Sequence, residues 1–175
     1  VTSLILTLVG PDRPGLVEAL AAPVAEHGGN WLESRMAHLA GKFAGVLLVE
    51  VPDERAGALV EALGRLEQRG LRVVAERSAA EPAPAGRTFV VDLVGLDRPG
   101  LVREISQVLA ERGVNIEELT TDRTAAPMSG ELLFRSRARV LVPPRTDAAE
   151  LRARLERLAG DLMVQVTLGE PDQPA

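Results

Sequence analysis

Apolar residues in this chain fall into runs and stripes that recur twice in the same order. A Leu/Ile/Val-rich run over residues 3–9 predicts a β-strand, and Leu16, Leu20 and Val24 follow it at the spacing of one helix face. Gly28 then offers a residue free to take positive φ at a helix end. Runs over 30–40 and 42–51 predict two strands joined at Ala40-Gly41, Leu59, Leu63 and Leu66 mark a second helix, and 71–76 closes the set as a strand. From residue 88 the order starts again. It gives a strand over 88–94, a helix carrying Leu101, Ile105, Val108 and Leu109 that ends at Gly113, and strands over 115–123 and 131–142. A helix with Leu151, Leu155 and Leu158 and a strand over 162–168 complete it. Pro23 conflicts with its helix, because it removes a hydrogen bond and crowds the preceding turn at a cost of about 3 kcal/mol, so a kink is expected there.

The order βαββαβ, twice over, with right-handed crossovers, predicts an α+β fold. Each half becomes an antiparallel four-stranded sheet with both helices on one face, the ferredoxin-like arrangement. A direct repeat supports the division. At an offset of 85, Leu8-Val9-Gly10-Pro11-Asp12-Arg13-Pro14-Gly15-Leu16-Val17 aligns with Leu93-Val94-Gly95-Leu96-Asp97-Arg98-Pro99-Gly100-Leu101-Val102, differing only at Pro11 against Leu96. Val51-Pro52 matches Val142-Pro143 at an offset of 91, which places a six-residue insertion within 124–130. The expected organisation is a first domain over 1–77, a Pro/Ala linker over 78–87, a second domain over 88–168 and a frayed tail over 169–175.

Composition then removes whole classes of chemistry. With 175 residues, 46% of them hydrophobic, the chain can bury a core in each half and is not intrinsically disordered. No cysteine is present, so disulfides, thiolate nucleophiles and Cys-ligated zinc are excluded. The 20 basic against 25 acidic side chains, without a basic block, lack the footprint of a direct nucleic-acid binder. No apolar run approaches the roughly 18 residues of a membrane span, and the first apolar run lacks a basic flank, so a soluble cytoplasmic protein is expected. His27 and His38 read as surface or capping side chains rather than general bases, and Trp31 as a core or interface side chain. No catalytic residue, metal or cofactor is expected.

The repeated turn has two readings. In the structural one, Asp12 and Asp97 cap helices, proline suits a first helical turn and glycine permits the bend. In the functional one, a strand feeding a helix N-terminus presents unpaired N–H groups to a small carboxylate, with Gly15 and Gly100 allowing close approach. Asp12 or Asp97 would then receive the ligand's ammonium group, and Asn30 and Asn115 would clasp the zwitterion from the other side. Arg13 and Arg98 either add a bidentate carboxylate contact or form surface ion pairs.

Gly-x-Asp-Arg-Pro-Gly-Leu-Val opening a βαββαβ unit resembles the ACT domain, a regulatory module that binds amino acids, and the resemblance covers both halves. Two such units in tandem, with the stretch Ala126-Pro127-Met128-Ser129-Gly130, are similar to the glycine cleavage system transcriptional repressor family. That resemblance implies a regulator responding to a small amino acid such as glycine and acting on transcription through a partner DNA-binding protein. It also implies side-by-side pairing of units, hence a homodimer, with ligands where the turn of one unit meets the second strand of another. The site residues it implies are Gly10, Asp12, Arg13, Gly15, Leu16 and Asn30, and Gly95, Asp97, Arg98, Gly100, Leu101 and Asn115. The first turn is also similar to the N-terminal ACT unit of formyltetrahydrofolate deformylase. The alternatives are therefore a regulatory subunit of an amino-acid or one-carbon enzyme, and a tandem scaffold that senses nothing.

Overall fold

The computed structural model describes residues 1–78, 82, 84–127 and 129–171. Residues 79–81 and 83 of the expected linker, Met128 of the insertion and 172–175 of the tail lie outside them. The chain divides into two compact units, Val1–Pro82 and Ala83–Ala175.

Unit 1 runs β1 (Thr2–Pro11), α1 (Leu16–Glu26), β2 (Asn30–Leu39), β3 (Lys42–Val51), α2 (Asp53–Gly64), a 3-10 segment (Arg65–Arg69) and β4 (Arg72–Arg77). Unit 2 repeats it as β5 (Arg87–Leu96), α3 (Leu101–Glu111), β6 (Asn115–Ala125), β7 (Leu132–Val142), α4 (Ala148–Leu162) and β8 (Gln165–Gly169). The sheet orders are β2-β3-β1-β4 and β6-β7-β5-β8, with every neighbouring pair antiparallel. This is the expected α+β, ferredoxin-like architecture in both units. Even the irregularities repeat: β2 and β6 each have a register shift at the start, between Trp31 and Glu33 and between Ile116 and Glu118.

Alternation along the strands sends one face of each sheet to the helices. Leu4, Leu6 and Leu8 of β1 and Leu47, Val49 and Val51 of β3 are buried against Leu20 and Val24 of α1 and Leu59 and Leu63 of α2. Phe89, Val91, Leu93, Ala138 and Val140 meet Ile105, Leu109, Leu151 and Leu155 in unit 2. Truncating a fully enclosed leucine such as Leu59 or Leu151 to alanine costs about 2–5 kcal/mol, a large part of a domain's stability.

Helix ends follow local chemistry. α1 and α3 stop in the same paired-bond motif: Gly28 N–H donates to Ala25 O (2.9 Å) and Gly29 N–H to Val24 O (2.8 Å), as Gly113 does to Ala110 and Val114 to Leu109. Gly28 and Gly113 sit at φ 69° and 68°, the left-handed region that glycine enters without strain. α1 runs through Pro23, whose ring is buried.

Two expectations are corrected. Strand β8 does not begin at residue 162, because α4 continues to Leu162 and closes on Met163, a non-glycine residue at φ 53°. The bonds Met163 N–H to Gly160 O and Val164 N–H to Ala159 O close the same motif without a glycine to announce it. In unit 1 the corresponding stop is Gly70, at φ 82°. Strand β1 is also longer than 3–9, and takes Gly10 and Pro11 into the ladder opposite Phe43 and Lys42. The six extra residues of unit 2 lengthen β6 and β7 by one each and the connection between them by four.

Candidate functional site

Where β1 meets α1, and β5 meets α3, the chain reverses through four residues, Asp12–Gly15 and Asp97–Gly100. Each turn is tied by its backbone to the neighbouring hairpin: Asp12 N–H donates to Gly41 O (2.9 Å) and Asp97 N–H to Leu132 O (2.8 Å). The helices are entered through Gly15 at φ 85° and Gly100 at φ 97° as N-cap residues, without a side-chain cap in either case. The expectation that Asp12 and Asp97 cap these helices is therefore corrected; they stand three residues too early. Uncapped first-turn N–H groups at an open turn suit a carboxylate.

The glycines separate into two kinds. A Cβ at Gly10 would stand 2.6 Å from Gly70 O, and one at Gly95 would stand 2.3 Å from Val164 Cγ1. Packing against the entry to the last strand thus demands glycine at both positions. At Gly15 nothing lies within 4 Å of a Cβ, so positive φ sets the residue and the space before it is free. Leu16 and Leu101 are core side chains, only 5% and 1% exposed, so the turn presents only their backbone.

The charged groups take different partners in the two units. His38, near the end of β2, places Nδ1 3.6 Å from Asp12 Oδ2, while its Nε2 accepts a hydrogen bond from Gly41 N–H (3.1 Å). Arg123 occupies the equivalent place in unit 2 and donates to Asp97 Oδ2 at 3.2 Å. Arg13 donates to the Arg69 carbonyl, whereas Arg98 faces Glu104 at 3.4 Å. Asn30 and Asn115 do not join the turns of their own units. Asn30 pairs with Glu50 at one end of β3 and Gly10 with Phe43 at the other, seven residues or roughly 23 Å along the sheet. Antiparallel order forces this separation, so turn and asparagine meet only if a different unit supplies the second partner.

His38 and Arg123 were absent from the sequence-derived set. The offset of 85 that aligns the turns also aligns these two residues, and was the signal available to find them. Beside the unit 2 turn, Asp97, Arg98, Gly100, Arg103, Ser106 and Phe134 border an open surface depression of about 510 Å³. A gap of about 20 Å³ under α3, where Ala138 stands in place of the unit 1 residue Leu47, has room for about one water and is a packing defect. Among the described residues no helix is long and apolar enough to cross a membrane.

Comparison with known proteins matches the ACT domain to residues 2–75 and again to residues 88–160. The chain is 27% identical to the glycine cleavage system transcriptional repressor of Escherichia coli over 165 residues, covering 93% of this chain and 86% of that protein. The solved structure of an unknown protein from Galdieria sulphuraria is 31% identical, with a TM-score of 0.82 over 97% of this chain and 98% of that one. A second solved structure, named for a glycine cleavage system transcriptional repressor, covers 96% of each chain at 22% identity and a TM-score of 0.73, and shares the fold.

Proposed function

The chain belongs to the ACT-domain family, and on that premise we propose that it is an amino-acid-sensing regulatory protein rather than an enzyme. A free amino acid, with glycine the first candidate, binds at a β-strand-to-helix turn, and the bound chain changes its affinity for a partner DNA-binding protein that controls transcription. The observation that carries this reading is the turn itself. An aspartate in the turn, a helix start without a side-chain cap and an N-cap glycine at positive φ recur in both units. The similarity to the Escherichia coli repressor over nearly the whole chain supports the transcriptional role.

The turn can recognise both poles of a zwitterion, the carboxylate at helix N–H groups and the ammonium at Asp12 or Asp97. Asn30 or Asn115 of a second copy of the chain would close the site, which makes a homodimer part of the proposal. The helix-terminus contribution is only about 0.3–1 kcal/mol, up to ~2 when partly buried, so affinity falls in the micromolar to millimolar range of metabolite sensing. Regulation requires that the ligand bind one arrangement of the chain better than another.

A thermal-unfolding screen of the purified protein against all amino acids tests this. At one hundred times Kd a ligand adds about 2.7 kcal/mol, which raises the midpoint of a chain this long by several degrees. A selective rise with one small amino acid is the expected result. A flat panel at tens of millimolar would overturn the sensor in favour of a scaffold, and co-purification with a biosynthetic enzyme instead of a DNA-binding protein would overturn the transcriptional role.

A further inference from the structure

The two turns match in backbone and differ in what faces their aspartates. At Asp12 the partner is an imidazole whose Nε2 accepts the Gly41 N–H, which leaves that nitrogen without a proton and turns Nδ1–H toward the carboxylate. His38 in this state orients Asp12 without cancelling its charge. At Asp97 the partner is the guanidinium of Arg123, permanently charged and already donating to Oδ2. Exposure follows the same division, with the Asp12 side chain 39% exposed and that of Asp97 23%. An incoming ammonium group finds an open anion at the first turn. At the second it has to displace a cation of this chain.

We propose that His38 and Arg123 decide which turn takes the ammonium group of a free amino acid: the turn Asp12–Gly15 accepts it, and the turn Asp97–Gly100 is closed to it by Arg123. The inference rests on the sensor reading above and adds to it a single binding unit per chain. It also assigns the second unit a different part, that of holding its turn in a fixed, self-neutralised geometry.

Exchange of the two residues tests the assignment. Glycine, alanine and serine are titrated into the wild-type chain, His38→Arg and Arg123→His, with heat and backbone-amide NMR shifts as readouts and circular dichroism to confirm folding. Wild type should bind one equivalent, with shifts at residues 10–16 and the adjoining hairpin and none at residues 95–101. His38→Arg should weaken that binding by about two- to fivefold, because an exposed guanidinium at Asp12 competes with the ammonium group. Arg123→His should keep the first equivalent and gain a second, with new shifts at residues 95–101. Two equivalents in the wild type, shifts at 95–101 in the wild type, unchanged affinity in His38→Arg, or one equivalent in Arg123→His would each overturn the proposal and leave amino-acid sensing standing. A wild type that binds none of the three at tens of millimolar, together with a flat thermal panel over all amino acids, would overturn both.

Discussion

Gly10 and Gly57 are both glycines within regular elements of unit 1, and replacing each by alanine should move stability in opposite directions. At Gly10 the new Cβ would lie 2.6 Å from the Gly70 carbonyl oxygen and 3.3 Å from Leu71 Cα, both backbone atoms that cannot rotate away. Overpacking of this kind costs about 1–3 kcal/mol, and the lower entropy of the unfolded alanine chain returns about 0.4–1 kcal/mol, so the net loss is about 1–2 kcal/mol. For a unit of this size each kcal/mol moves the midpoint by about 4–8 °C, which gives a fall of roughly 4–16 °C. At Gly57, inside α2, nothing lies within 4 Å of a Cβ, and alanine should gain about 0.5–1 kcal/mol and raise the midpoint by roughly 2–8 °C. Trp31 packs against the unit 1 core and is the chain's one tryptophan, so its fluorescence follows that unit's transition. An unchanged or raised midpoint in Gly10→Ala, or a lowered one in Gly57→Ala, would refute the packing account of these glycines.

Three further outcomes are expected. Asp147, whose side chain accepts the Ala149 N–H at 2.9 Å, is a true helix cap; in urea titrations Asp147→Ala should cost about 1 kcal/mol and Asp12→Ala distinctly less. Met163→Gly should raise the unit 2 midpoint slightly, since relief of about 1–2 kcal/mol of left-handed strain outweighs the roughly 0.5–1 kcal/mol entropic cost of glycine. The Thr2 hydroxyl, 2.6 Å from Asp53 Oδ1, is the foremost cause holding the Asp53 carboxyl below its ordinary 3.8. A lowered folded value gives stability that is present above the unfolded value and lost as pH falls through the folded one. The stability gap between wild type and Thr2→Val, measured by urea titration across a pH series, should therefore be full near pH 6 and close below about pH 4.

Apolar periodicity alone determined the two βαββαβ units, because each strand and helix must bury one face and the spacing of leucines and valines states which face that is. Glycine determined the ends of α1 and α3 for a similarly local reason, and where Met163 took that place the end of α4 was invisible in the sequence. The turns were legible as a repeat, but the reason for each residue was not. Gly10 and Gly95 answer to the Gly70 carbonyl and to Val164, residues about 60 and 69 positions away in the chain, and only the folded sheet brings them together. Asn30 was grouped with the turn on residue type, whereas antiparallel pairing carries it to the opposite end of the sheet. Tertiary structure also brought His38 to Asp12 and Arg123 to Asp97, because the hairpin folds its tip back beside the turn. Burial and backbone preference act along the sequence and can be read from it, while close approach and charge pairing depend on which distant residues the fold makes neighbours.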